Sequence, residues 1–223
     1  MTLYLTSYRP LCHSRFGRAA VDSFGHPPFV DGSSRREPDL ENYLPTISGL
    51  CRSDQYVRRS KTVRRSAFVR RLAEGDVVVY LTVRGRYGGA KPHRYLTAVL
   101  KVLRIFQTPV KAARWYADVG LPIPTNCVYR ATGPVTFEET LGRTPISVLE
   151  ERYRWCQDSC GLIAACKPLF LELWCPPAMS DTEEHILFGR RPATQNPSAL
   201  PVQTFDRLMR WADLSLRAQH LIA

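Results

Sequence analysis

The run Leu72-Ala73-Glu74-Gly75-Asp76-Val77-Val78-Val79-Tyr80-Leu81-Thr82-Val83 changes character at its midpoint. Its first five residues hold two acids and a glycine, which marks a turn. Its last seven are nearly all β-branched or aromatic, which marks a buried strand. Gly85 to Pro92 is glycine-rich and leads into Tyr95–Phe106, a second long strand, so the two are expected to pair antiparallel as a hairpin. Upstream, Thr2–Tyr8 sets Leu3, Leu5 and Ser7 against Tyr4, Thr6 and Tyr8, an alternation that reads as a further strand.

Downstream, Val110–Val119 carries Ala112, Ala113, Trp115 and Tyr116 at helical spacing and stops at Gly120. Leu121–Pro124 reads as extended and Pro145–Cys156 as a short helix. Pro168–Trp174 reads as a strand closed by Cys175-Pro176-Pro177, Phe188 to Pro201 as loop, and Phe205–Ile222 as an amphipathic helix. Strands outnumber helices and come as hairpins. That argues for an α+β chain on a curved or closed, mostly antiparallel sheet with peripheral helices. No repeat or linker divides it, so a single domain over 1–223 is expected, with a basic insert near 52–71 and a C-terminal helix at 204–222.

The chain has 223 residues, 44% hydrophobic and 23% charged, a globular composition that excludes an overall disordered scaffold. No run of about 18 apolar residues is present, and the N-terminus lacks the basic-then-apolar shape of a signal peptide; a cytoplasmic protein with no membrane partner is expected. Seven cysteines, an odd number, then read as reduced thiols. Cys156, Cys160, Cys166 and Cys175 cluster loosely, with gaps of three, five and eight residues; only the first approaches the two-to-four spacing of paired zinc ligands, and it would equally suit two residues on one helix face. Neither metal nor cofactor is expected.

Thirty-one Lys and Arg against 20 Asp and Glu leave a net charge of +11. The excess is concentrated: Arg52, Arg58, Arg59, Lys61, Arg64, Arg65, Arg70 and Arg71 share one stretch with a single acid, Asp54. Arginine pairs recur there every six residues. Such a stretch is either a solvated face or a surface that meets a polyanion, where each neutralised phosphate releases counterions. Contact with phosphates positions a nucleic acid without reading its bases, so DNA and RNA both stay open as partners.

The turn Leu72–Asp76, the strand Val77–Tyr80 and the returning strand Leu96-Thr97-Ala98-Val99-Leu100-Lys101-Val102 together resemble the core of the PUA-like superfamily. That group includes the ASCH, EVE and YTH domains and relatives found near nucleotide-modification genes. The resemblance implies a small β-barrel, closed by the N-terminal strand and the Leu169–Trp174 strand, with a cleft that accepts one base, often a modified one. It also implies an aromatic contribution to that cleft. Trp115 and Trp211 sit at helical spacing among apolar residues and read as core; Trp155 and Trp174 are the better candidates for the base.

Polar candidates for a base edge are Asp31, Ser33, Ser34, Arg35 and Arg36, which supply donors and acceptors within six positions, although an Asx or Ser turn would use the same residues. Asn126 is either a base-edge contact or a turn residue. Arg191, beside Arg190, is a phosphate contact or a solvated loop residue. Tyr8 could stack on a base, and core packing is its other reading. Asp181, Glu183, Glu184 and His185 could form a metal or acid–base cluster, but a helix N-terminus accounts for the acids more simply. Phosphate-loop, dinucleotide-loop, zinc-protease and serine-elbow motifs are absent. A binding module is therefore favoured over a nuclease or a base- or nucleotide-modifying enzyme built on the Asp31–Glu37 loop, and an acidic protein partner is the third reading.

Overall fold

A computed structural model of the chain describes residues 1–13, 15–25, 27–30, 44–48, 68–87, 89, 91–124, 161–189 and 197–220. In chain order the elements are β1 (Leu3–Tyr8), α1 (Arg15–Phe24), β2 (Thr46–Ser48), β3 (Val77–Thr82), β4 (Arg94–Phe106), α2 (Pro109–Asp118), β5 (Ile163–Leu171), β6 (Ala178–Met179), α3 (Asp181–Phe188), β7 (Ser198–Leu200) and α4 (Gln203–His220). The class is α+β, with a seven-stranded, mostly antiparallel sheet in the order β2-β5-β4-β3-β1-β7 and β6 added on β4. Among the described residues β2 and β7 are the ends of that order and do not pair with each other, so the strand order is open. Two compact units divide the chain: Met1–Gly32, Gly75–Lys101 and Pro168–Ala223 form the first, Ser33–Glu74 and Val102–Lys167 the second.

The first unit is organised by the turn at Gly75-Asp76. Gly75 has φ +86°, a left-handed conformation that a side chain would strain. Asp76 is buried, and its Oδ1 accepts a hydrogen bond from the Thr2 amide at 2.6 Å, while the Val77 amide donates to the Thr2 carbonyl at 2.9 Å. These two bonds set the start of β1 beside the start of β3. The strands then pair in parallel over six residues, from Leu3↔Val77 to Tyr8↔Thr82. Parallel strands are characteristically covered on both faces, and every residue of β1 and β3 is buried. The expected β3–β4 hairpin is present and antiparallel, from Val77↔Lys101 to Leu81↔Leu96, with a register shift at Tyr80/Leu81.

The core of this unit gathers Leu3, Leu5, Val79, Leu96, Met179 and Leu208. Ser180 caps α3 with a full capping box, its side chain taking the Glu183 amide while Glu183 reaches back to the Ser180 amide. The acids at 181–184 are therefore the first turn of a helix, as their spacing suggests. Trp211 of α4 is partly buried against this core and donates from Nε1 to Glu183 Oε1 at 2.9 Å.

In the second unit β2 pairs antiparallel with β5, Thr46 opposite Ala165. Thr108 caps α2, Pro109 follows in its first turn, and Gly120 with φ +71° lies just past its end. The core is Phe106, Ala112, Tyr116, Ile163 and Ala165, with Trp115 partly buried against it.

Two expectations need correction. β5 starts at Ile163 and ends at Leu171, five residues ahead of the Pro168 expected and three short of Trp174. Within its first half, Ala164-Ala165-Cys166 are buried but small, with little β signal. Phe188 closes α3 rather than opening a loop, and β7 lies inside the stretch read as loop; three residues are too few to show alternation. The helix expected over Pro145–Cys156 falls outside the described residues. Among the described residues no helix is long and apolar enough to cross a membrane.

Candidate functional site

The turn between β3 and β4 is narrow at its base. Gly85 and His93 exchange backbone hydrogen bonds at 3.0 and 2.9 Å, and the Gly89 amide donates to the Arg86 carbonyl. Tyr87 has φ +45°, the sole positive φ at a non-glycine among the described residues and a conformation that costs about 1–2 kcal/mol for an L-residue. Its ring folds back over the strand end: a Cβ on Gly85 would come within 3.0 Å of it. The Tyr87 hydroxyl donates to the Val83 carbonyl, which anchors the strained residue.

A second loop meets this turn within the first unit. The Leu11 amide donates to Val30 and the Cys12 amide to Pro28, at 2.8 and 2.9 Å. These bonds, and one from the Tyr8 hydroxyl to the Phe29 carbonyl, bring Phe29 and His13 to the hairpin. Four rings then converge on Tyr87. Their centroids lie 5.7 Å away at His13, 6.3 Å at Phe29, 5.6 Å at His93 and 5.3 Å at Tyr95. Tyr95 closes the group, 4.7 Å from Phe29 and 4.8 Å from His93. The Tyr87–Tyr95 and His93–Tyr95 pairs, at 77° and 73°, set edges on faces, the arrangement that ring quadrupoles favour, and the other pairs are tilted. Phe29 is buried; Tyr87, His93 and Tyr95 are partly open, and His13 is exposed.

Charge is interleaved with these rings: Arg84, Arg86 and Lys91 on the turn, and Arg94 between His93 and Tyr95. Two of the four are held by α3. Arg84 makes a two-pronged contact with Asp181 at 2.9 and 2.6 Å at the surface, which raises the arginine pKa further. Arg94 is buried, with Nε 2.9 Å from Glu184 Oε1 and Nη1 donating to the Thr82 carbonyl at 3.1 Å. Burial pulls the Arg94 pKa down against the pull of that carboxylate. The Tyr95 amide donates to Thr82 Oγ1, so Thr82 ties the arginine and the tyrosine to the same strand end. Arg86 and Lys91 remain exposed.

Burial pushes the Cys12 thiol up to about 11 and the Tyr87 phenol up to about 12, so both stay protonated at neutral pH. His93 Nδ1 lies 3.0 Å from the Lys91 carbonyl and carries the proton there. Among the described residues no group of His, Cys, Asp and Glu is arranged to hold a metal ion.

Of the base-pocket candidates read from the sequence, Tyr8 and Trp174 are described. Tyr8 is 0% exposed, with its hydroxyl on Phe29 and its ring edge against Tyr80, so it supports the loop that carries Phe29. Trp174 is 56% exposed just past β5, its amide donating to Glu172 Oε1. Asp31, Ser33, Ser34, Arg35, Arg36, Arg52, Arg58, Arg59, Lys61, Arg64, Arg65, Asn126, Trp155 and Arg191 lie outside the described residues. The ring cluster itself was missed, although Arg84-Gly85-Arg86-Tyr87 and His93-Arg94-Tyr95 show aromatic and basic residues alternating around a glycine-rich turn. No protein-family model, no curated protein and no solved structure matches this chain.

Proposed function

We propose that this chain is a cytoplasmic nucleic-acid-binding module of PUA-like type, its curved sheet forming the wall of a small barrel. It seats a base against the Tyr87–Tyr95 ring cluster and grips phosphates through Arg86, Lys91 and the Arg52–Arg71 segment. The observation that carries this reading is the interleaving of partly open rings with exposed cations on one turn. A cluster of rings can receive either an organic cation or a flat base. Exposed Arg86 and Lys91 repel the first and attract the phosphates that accompany the second. Free thiols at Cys12, Cys166 and Cys175 suit a reducing compartment.

Fluorescence anisotropy with labelled DNA and RNA oligonucleotides, at two salt concentrations, tests the reading. Stacking on a ring is worth about 1–3 kcal/mol per base, so Tyr95→Ala should weaken binding at least fivefold at either salt. Arg86→Ala with Lys91→Ala should weaken it mainly at low salt. Absence of binding by the wild-type protein at low salt would end the proposal. Cleavage of the oligonucleotide with Mg²⁺, lost on Arg36→Ala and Glu37→Ala, would replace it with the nuclease reading.

A further inference from the structure

Within the second unit, a separate assembly of cations and rings has a different construction. Arg104, exposed on β4, lies over the Phe106 ring with its guanidinium carbon 5.4 Å from the centroid. Phe106 is 5.4 Å from Trp115 of α2 at a 42° tilt, and Trp115 stands edge-on to Tyr116 at 5.0 Å. The Tyr116 hydroxyl donates to the Leu44 carbonyl. A guanidinium thus caps a chain of three rings whose inner end is fixed in the core.

Helix α2 buries Pro109, Ala112, Ala113 and Tyr116, which turns Lys111 and Arg114 to solvent one helical turn apart, with half-buried Trp115 at their side. Asp118 shares that outer face. Arg70, Arg71 and Lys167 are exposed as well, so the described part of this unit shows six exposed cations against two acids, Glu74 and Asp118. Arg71 is also laid on a ring, 5.9 Å from the centroid of Phe68. Among the described residues, no carboxylate is paired with Arg104, Lys111 or Arg114.

That difference in partner decides what the surface can bind. A guanidinium engaged by a carboxylate has its N–H fork occupied. One lying over a ring keeps the fork pointing outward in its own plane, already oriented, so less side-chain entropy is lost when an anion arrives. Phosphate is matched by that fork, and an ammonium such as Lys111 adds a point charge beside it. A half-open tryptophan next to the cations favours a nucleotide, which carries flat rings, over an acidic peptide, which need not.

We infer that the β4–α2 face, built on Arg104, Lys111 and Arg114, is a second nucleic-acid contact that holds the phosphate backbone without reading bases. It rests on the nucleic-acid reading above and adds a site that the ring cluster does not include. The test uses Lys111→Ala/Arg114→Ala in the full chain. Both positions are exposed and alanine is the best helix former, so α2 is kept, with circular dichroism and the urea midpoint as controls.

Binding of an oligothymidylate and of a mixed-sequence single strand is measured across a salt series. The expected result is a salt slope lower by about 1.4, from roughly 0.7 per lost phosphate contact, with affinity reduced about tenfold at low salt on both sequences alike. Tyr95→Ala, by contrast, leaves the slope unchanged. A wild-type protein that binds while the double variant keeps the full slope overturns this inference and leaves the ring-cluster reading intact. No binding by the wild type overturns both. Displacement of the oligonucleotide by poly-glutamate of equal charge, lost in the double variant, assigns the face to an acidic protein instead and also overturns it.

Discussion

Arginines in the two units are matched to different partners. In the first unit Arg84 faces Asp181, Arg94 faces Glu184 and Arg217 faces Asp213. In the second, Arg104 lies on Phe106. The same side chain therefore does two kinds of work. Paired with a carboxylate inside the fold, as Arg94 is, it is a structural element whose removal is felt by the whole unit. Exposed itself and laid on a ring of the core, as Arg104 is, it contributes little to folding and keeps its donors for something outside the chain. Net charge alone does not separate these cases, because both arginines count equally toward +11.

The contrast can be broken most sharply at Glu184. Its side chain is 0% exposed, and Glu184→Ala would leave the Arg94 charge buried without its carboxylate. A buried pair broken on one side costs about 3–5 kcal/mol, so urea unfolding should show a loss of that order. Replacing both partners, Arg94→Met with Glu184→Met, removes the orphaned charge and should recover most of it. A Glu184→Ala loss below about 1 kcal/mol would mean that the pair is no more structural than a surface contact.

Asp76 ranks next, since it also spends a charge on architecture. Asp76→Ala removes the acceptor of the Thr2 amide and with it one of the two bonds that align β1 with β3. A hydrogen bond to a charged group contributes about 1.5–3 kcal/mol, which is the expected drop in unfolding free energy. Hydrogen exchange should show the drop first in β1. Uniform protection across β1 in the variant would show that the parallel register is fixed elsewhere.

A pH experiment sharpens the comparison at the ring cluster. Burial raises the Tyr87 pKa from 10 to about 12, so the folded state favours the neutral phenol. The stability linked to that shift is fully present below pH 10, where both states are protonated. It is lost as pH rises from 10 through about 12, because the unfolded chain ionises first. Tyr87→Phe should be less sensitive across that window, as read by urea midpoints at pH 9, 10.5 and 12. Identical curves for wild type and variant would place Tyr87 in water rather than inside the cluster.

Much of the first unit was legible because its signals are local. The β-branched run Val77–Thr82, the glycine at 75 and the glycine-rich connection after 83 each act through backbone preference, and each appears where the sequence puts it. The caps of α2 and α3 are local too. What stayed hidden depends on partners remote in sequence. Alternation marks β1 as a strand without saying that it lies parallel to β3. Ala164-Ala165-Cys166 looks like no strand until β2 pairs with it. The ring cluster was half legible: Tyr87, His93 and Tyr95 alternate with basic residues in the sequence, but Phe29 and His13 lie 58 and 74 positions before Tyr87, held by hydrogen bonds of their own loop. Tyr8 shows the reverse error, a ring that reads as a stacking candidate and serves as a buried post for the Phe29 carbonyl.

Arg104→Lys is the finest probe of the contrast, because it keeps the charge and removes only the planar fork and its seat on Phe106. Arg104 is exposed, so its unfolding midpoint should stay within the scatter of the measurement. If the ring serves to hold the fork ready for phosphate, oligonucleotide affinity should fall severalfold while the salt slope is unchanged, since one cation still neutralises one phosphate. Arg84→Lys is the matched comparison in the first unit, where the fork is already taken by Asp181 and affinity should not change. Equal losses in the two variants would show that the ring beneath Arg104 confers nothing beyond charge. A loss confined to Arg104 would make the aromatic seat, rather than the number of arginines, the property that separates a binding cation from a structural one.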